Sequence, residues 1–184
     1  MGFAHKAFYG ITGMGKSTLA KHFARGLAHH KQIIIVFNPL GDDGWPEKSR
    51  QAYTADQLEA MLADPRLYGA HVFVDEGQVL RHQFRPERHP TIATLGNVGR
   101  HFGFTLYLLG QYPTAVPPHM RWNCAECYCF NLGTEKHAKE VWEDFGRQSI
   151  DGVPVWQVIL SLQPYKCVFL TKFSAEICDI PPPR

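Results

Sequence analysis

Gly10-Ile11-Thr12-Gly13-Met14-Gly15-Lys16-Ser17-Thr18 fits the pattern G-x-x-x-x-G-K-[ST], the phosphate-binding P-loop. Each residue type in it has a physical task. Gly10, Gly13 and Gly15 let the backbone fold tightly, so that the amides from Thr12 through Met14 to Thr18 point into one concavity. Lys16 has the reach to meet β- and γ-phosphates, and the Ser17 hydroxyl can hold Mg²⁺. The flanks suit the motif. Ala7-Phe8-Tyr9 leads in as the end of a strand. Ser17 to His29 reads as a helix, with Leu19, Ala20, Phe23, Ala24 and Leu27 at helical spacing. The N-terminus of that helix adds partial positive charge beneath a phosphate. ATP and Mg²⁺ are therefore the expected ligands.

Outward from the loop, strands and helices alternate. Ile33-Ile34-Ile35-Val36-Phe37 is a continuous β-branched and aromatic run, as in a strand buried on both faces. Leu40 to Gln51 reads as a loop. Thr54-Ala55-Asp56-Gln57 has the form of a capping box, and Leu58, Met61 and Leu62 give its helix an apolar face that Pro65 closes. Ala70 to Val74 and Phe104 to Leu109 read as strands, with a helix from Thr91 to Phe102 between them. After Gln111, Pro113, Pro117 and Pro118 argue against regular structure. Cys127 to Leu132 reads as a strand and Thr134 to Gly146 as an amphipathic helix. Val155 to Leu162 and Lys166 to Phe173 read as a final strand pair. Pro181-Pro182-Pro183-Arg184 reads as an extended tail. This pattern predicts one α/β domain over residues 1–184, a three-layer P-loop NTPase of the RecA-like type with a mainly parallel central sheet.

His71-Val72-Phe73-Val74-Asp75-Glu76 supplies the second motif, two carboxylates at the end of an apolar strand. Asp75 is the expected partner of Ser17 in holding Mg²⁺. Glu76 is the expected general base toward an attacking water, which favours hydrolysis over phosphoryl transfer to a small molecule. The interval between the motifs has room for one strand and one helix. That fits the ATPase branch that inserts a strand between the two motif strands. Gln111 ends the next strand, where its amide can contact both a γ-phosphate and the water.

The composition sets bounds. The 184 residues carry a net charge of only +2, so charge alone does not declare a nucleic-acid binder. No apolar run approaches the length of a membrane span, and the first residues do not resemble a signal peptide. The five cysteines, Cys124, Cys127, Cys129, Cys167 and Cys178, read as reduced thiols. Cys124-x-x-Cys127 lacks the second pair that a structural zinc site usually has, although His119 and His137 are near in sequence. Cys127 and Cys129 alternate with Tyr128 and Phe130 as in a buried strand, so the small buried thiol is the preferred reading.

A more specific resemblance rests on three segments. Gly99-Arg100-His101-Phe102-Gly103-Phe104 runs into Leu106-Tyr107-Leu108-Leu109-Gly110-Gln111-Tyr112-Pro113, then through Val116-Pro117-Pro118-His119-Met120-Arg121-Trp122-Asn123. Together with the two motifs, this stretch resembles the FtsK–HerA superfamily of ring-forming DNA-pumping ATPases over residues 7 to 146. The small size and lack of accessory domains resemble the genome-packaging ATPases of tailless, membrane-containing viruses. The resemblance implies an ATPase that moves double-stranded DNA. It implies a homo-oligomeric ring, a hexamer, partnered by capsid packaging vertex proteins, in the host cytoplasm or at the virion vertex. It casts Lys16, Glu76, Gln111 and Arg100 as the catalytic set, Gln111 as sensor and Arg100 as a finger entering a neighbour's site. This chain departs from the family in reading Gln111-Tyr112-Pro113 where Gln-Arg-Pro is common, so that arginine's role is absent or moved, with Arg121 a candidate.

Arg81 to His89 reads as a basic loop whose cations suit DNA phosphates and whose Phe84 suits a sugar or base. Three other functions use the same motifs. They are a filamentous-phage assembly ATPase of the Zot type, a small-molecule P-loop kinase with the 81–88 loop as an arginine-rich lid, and a nucleotide-gated binding module without turnover.

Overall fold

Apolar strand sequences set the architecture of the computed structural model, which describes residues 4–181. Ten strands and seven α-helices follow along the described chain. They are β1 (His5–Tyr9), α1 (Lys16–His29), β2 (Ile34–Phe37), β3 (Arg50–Ala52), α2 (Ala55–Leu62), β4 (His71–Val74), α3 (Gly77–Gln83), α4 (Pro90–Val98) and β5 (Thr105–Gly110). Then come α5 (Pro118–Arg121), β6 (Cys124–Cys129), α6 (Glu135–Asp144), β7 (Ser149–Ile150), β8 (Val153–Pro154), α7 (Val155–Ser161), β9 (Lys166–Leu170) and β10 (Ala175–Asp179). Eight strands form one sheet in the order β10-β9-β6-β1-β5-β4-β2-β3. The six strands from β6 to β3 are parallel, and β9 and β10 add an antiparallel extension beyond β6. β5 stands between β1 and β4, so one strand separates the P-loop strand from the carboxylate strand.

The sheet centre is covered on both faces, which is why β2, β4 and β5 are largely apolar rather than alternating. One face carries Ala7, Tyr9, Ile35, Phe37, Val72, Val74, Leu106 and Leu108, in one buried cluster with residues of α2, α4, α6 and α7. The other face packs on α1 through Leu19, Ala20 and Ala24. There a row of aromatic rings crosses five neighbouring strands. Phe73 stacks on Tyr107 with centroids 4.1 Å apart, and Tyr107 neighbours Phe8. Phe8 stacks on Tyr128 at 5.1 Å, and Tyr128 meets Phe169 at 5.0 Å. Phe23 of α1 packs onto the middle of this row. Cys127 and Cys129 are buried in β6, and all five cysteines are free thiols.

Several local expectations are corrected. Residues 155–161 form helix α7, not a strand: Val155 and Ile159 sit one helical turn apart and are buried against the core. The partner of β9 is β10. The end of the stretch read as a loop, Arg50 and Gln51, belongs with Ala52 to strand β3, which extends the sheet edge beside β2. Arg81, His82 and Gln83 belong to α3 and not to a loop. The helix expected through Phe102 changes at Gly99 into a 3₁₀ turn, Gly99–Phe102. The prolines after Gln111 start short helices, Pro113–Ala115 and α5, because proline at a first helical position loses no hydrogen bond. Of the tail, residues 182–184 lie outside the described residues.

Candidate active site

In a parallel sheet the carboxyl ends of all strands lie at one edge, and ligands bind there. At that edge β1 delivers Gly10, β4 delivers Asp75 and Glu76, and β5 delivers Gln111. The Gly10 N–H donates to the Gly110 carbonyl at 3.3 Å, so Gln111 follows directly beside the first glycine of the loop. The Asp75 N–H donates to the Phe37 carbonyl at 3.0 Å and fixes the end of β4 against β2.

The P-loop is held from its outer side by residues far away in the chain. The Ile11 N–H donates to the Asn131 carbonyl at 2.9 Å, and the Tyr165 N–H donates to the Met14 carbonyl at 3.0 Å. The Asn131 side chain donates in turn to the Leu160 and Leu162 carbonyls. Gly10 packs so closely on β6 that a Cβ there would lie 2.5 Å from the Phe130 Cβ. Gly15, left-handed at φ 106°, caps α1 without a side chain, and no acidic residue occupies the first turn of α1. That helix end is left electrostatically open to an anion. Lys16 folds across the loop and its Nζ donates to the Ile11 carbonyl at 3.0 Å. Burial pulls its ammonium below the usual lysine range, against the opposing pull of Glu76 and Asp75.

The Ser17 Oγ donates to Asp75 Oδ1 at 3.3 Å. Asp75 is 4 % exposed, and its Oδ2 is buried with no hydrogen-bond partner. Burial, with Glu76 next, pushes its carboxyl up to about 6. A hydroxyl and a carboxylate side by side, with one carboxylate oxygen unsatisfied, make the hard oxygen donor set that Mg²⁺ takes through one or two protein ligands. The residues present therefore fit the ion.

Glu76 has φ 62° and ψ 63°, a left-handed backbone rare for residues other than glycine. Such conformations cost about 1–3 kcal/mol and cluster at functional sites. Its carboxylate Oε2 accepts a hydrogen bond from Gln78 Nε2. Gln78, Asn131 and Tyr165 were not singled out from the sequence. Gln78 offered the faint signal of a polar amide two places after Glu76, while Asn131 and Tyr165 act through backbone contacts that no motif announces.

The 3₁₀ turn Gly99–Phe102 places Arg100 ahead of β5, at the amino edge of the sheet. The six residues of β5 span about 20 Å to the opposite edge, where Gln111 lies. The backbone at residue 100 thus lies at the edge opposite the one that carries Gly10, Asp75 and Gln111. Arg121 ends α5, with its Nε buried and unpartnered and its guanidinium 5.9 Å from the Trp122 ring. Tyr112, at the family's arginine position, stacks on His137 with centroids 4.6 Å apart.

The basic segment is engaged within the molecule. Arg81 donates to the Thr114 carbonyl, and Arg85 to the His82 and Phe84 carbonyls. Arg88 and His89 both meet Asp56. Phe84 is half-buried against His89 and His119.

Strand order, loop and carboxylate pair together define an α/β P-loop NTPase fold. No family model matches the sequence, nor does any curated protein. In structure the chain is similar to the genome packaging NTPase B204 from Sulfolobus turreted icosahedral virus 2 in complex with AMPPCP. That likeness has a TM-score of 0.75 at 16 % identity and covers 98 % of this chain and 100 % of that one. It is also similar to B204, the DNA-packaging ATPase from Sulfolobus turreted icosahedral virus, at TM-score 0.73 and 18 % identity over 99 % and 98 % of the two chains. The pCW3 conjugation coupling protein TcpA gives 0.68 at 14 % identity over 96 % of this chain and 60 % of that one. At such identities the likeness is one of fold, and it agrees with the resemblance carried by the motifs.

Proposed function

We propose that this chain is an ATP hydrolase that drives DNA translocation, and that it packages viral genomic DNA into a preformed capsid. The observation that carries the reading is the meeting of Lys16, Ser17, Asp75, Glu76 and Gln111 at one sheet edge, with one strand inserted between the two motif strands. The fold likeness to the packaging NTPase B204 supports the packaging role.

In this reading the P-loop amides and the α1 N-terminus bind the phosphates of ATP. Lys16 exchanges the Ile11 carbonyl for the β- and γ-phosphate oxygens. Ser17 and Asp75 hold Mg²⁺, which when bound neutralises charge on those oxygens. Water attacks the γ-phosphorus, the bond to the β–γ bridging oxygen breaks, and ADP and phosphate form. Glu76 accepts the proton of that water, and Gln111 orients the water and the γ-phosphate. Arg100 serves the site of a neighbouring copy in a ring, the hexamer that the family resemblance implies. DNA in the ring's pore and capsid vertex proteins are the partners, and the host cytoplasm or the virion vertex is the setting. Among the described residues no helix is long and apolar enough to cross a membrane.

The kinase reading needs a mobile arginine lid. Arg81 and Arg88 are instead tied to the Thr114 carbonyl and to Asp56, which speaks against it. One experiment tests the proposal: ATP turnover with and without double-stranded DNA, and mass in solution with and without nucleotide. An oligomer whose turnover rises with DNA is expected. A monomer that phosphorylates an added small acceptor would overturn it.

A further inference from the structure

The general base assigned above does not hold its own carboxylate in place. Glu76 stands two residues past β4 and directly before α3 in a left-handed conformation, with its side chain half-buried and rich in rotamers. Among the described residues, the hydrogen bond to that side chain comes from Gln78, whose Nε2 donates to Oε2 and leaves Oε1 to receive a proton. The Gln78 amide is itself held in a restricted place. Its Oε1 is buried without a partner, so the amide's other end faces the protein and not solvent.

Helix α3, which carries Gln78, is fixed at its start and again one turn on. At Gly77 a Cβ would lie 2.4 Å from Val116 Cγ1 and 2.9 Å from the Leu109 carbonyl oxygen, so the helix start sits directly on β5 and the turn after it. One turn later, Arg81 donates to the Thr114 carbonyl on the 3₁₀ turn Pro113–Ala115, just past Gln111. The support of Glu76 is thereby anchored to the segment that carries the sensor glutamine.

We infer that Gln78 is a positioning residue for hydrolysis: its amide aims the Glu76 carboxylate at the attacking water, and α3 keeps that aim in register with Gln111. The inference rests on the ATP hydrolase reading and names a residue that neither of its motifs includes. A side chain that acts only through Glu76 has a distinct signature. Its loss lowers kcat while nucleotide affinity stays, and the loss vanishes once Glu76 can no longer take a proton.

The test is a double-mutant cycle on the full chain with Gln78→Met and Glu76→Gln, measured by single-turnover ATP hydrolysis and by binding of a fluorescent ATP analogue. Gln78→Met should slow hydrolysis by about 10- to 100-fold, the scale of a misaligned reacting group, with the analogue's affinity within about twofold. In the Glu76→Gln background it should add almost nothing. Gln78→His, which keeps an N–H donor, should recover part of the rate. Gln78→Glu, of the same shape but without a donor at neutral pH, should not; it also replaces Gln78→Met if that variant fails to fold. Additive losses in the two backgrounds, an affinity loss that accounts for the rate, or normal turnover in Gln78→Met and Gln78→Glu would each overturn the inference. Undiminished hydrolysis by Glu76→Gln alone would instead overturn the underlying assignment of the base.

Discussion

Ser17 and Asp75 stand 58 positions apart in the chain, yet the serine hydroxyl donates to the aspartate at 3.3 Å. That contact joins the first turn of α1 to the end of β4 across the intervening strand β5. It brings both oxygen donors to the bottom of the phosphate cradle and leaves the second Asp75 oxygen buried and unsatisfied. A carboxylate in that position has measurable consequences.

The first concerns pH. Burial holds the Asp75 carboxyl at about 6 in the folded chain, above its ordinary value of 3.8. The folded state therefore binds the proton more tightly than the unfolded one. This contribution is fully present below the unfolded value and is lost as pH rises through about 6. The loss is on the order of 3 kcal/mol. In metal-free and nucleotide-free buffer, Asp75→Asn should melt higher than the parent at pH 8 and much like it at pH 4. Melting curves across that range check it; parallel pH dependences in the two proteins would refute it. Mg²⁺ with nucleotide should stabilise the parent and not the variant.

Glu76→Gln removes the base and keeps the shape. It should bind ATP as the parent does and hydrolyse it about 100-fold more slowly or worse. Equilibrium binding beside steady-state turnover separates the two effects. A parallel loss of binding would make Glu76 a part of the phosphate or metal site.

Arg100 and Gln111 lie at opposite edges of the sheet, so Arg100 starts far from its own P-loop. Arg100→Ala should keep ATP affinity and lose most turnover. Lys16→Ala should lose nucleotide binding, because its ammonium is the loop's own cation. A mixture of the two should recover partial turnover, since one copy offers an intact loop and the other an intact arginine. Absence of rescue at every ratio, with co-assembly shown, would return Arg100 to an ordinary surface charge.

Gly10→Ala should damage the loop from behind. The added methyl would meet Phe130 Cβ at 2.5 Å, where β1 and β6 are already in register. Overpacking of this kind costs about 1–3 kcal/mol, and the shift it forces displaces the amides that face the phosphate. Calorimetry and analogue binding should both register the change. An unchanged melting temperature would mean that the strand end yields freely.

Much of this architecture was legible because its signals are local. Gly10 to Ser17 needs no neighbour to be read. Thr54 caps α2 as its spacing implied, accepting from the Gln57 N–H, while the Gln57 side chain accepts from Tyr53 N–H. Of the run 33–37, Ile34–Phe37 is a strand because β-branched residues with apolar neighbours on both faces have few other homes, while Ile33 lies before it and is exposed. Val155 to Ser161 was misread because a short apolar run fits a strand and a buried helix equally well. Only its packing against α6 decides between them. The helical part of the basic segment was missed for a similar reason. Arg81 and Arg88, read as cations for DNA phosphates, stay exposed but also find Thr114 and Asp56, partners about thirty residues away that spacing cannot reveal. The hold of Gln78 on Glu76 escaped because it depends on the left-handed turn at Glu76, which no residue type in Asp75-Glu76-Gly77-Gln78 demands.

The clamp on the P-loop sets a timetable for folding. β1 is the first strand, yet its neighbours β5 and β6 are made about a hundred residues later, and Lys6 pairs with Glu126 across 120 positions. The Met14 carbonyl waits still longer, for Tyr165. Closing loops of that length precedes any reward from the contacts, so this topology folds slowly. During synthesis the nascent segment carries Lys16 and Ser17 long before the groups that shape their cradle exist. In the proposed reading, the outer contacts that shape a phosphate cradle form only once Asn131 and Tyr165 have been made.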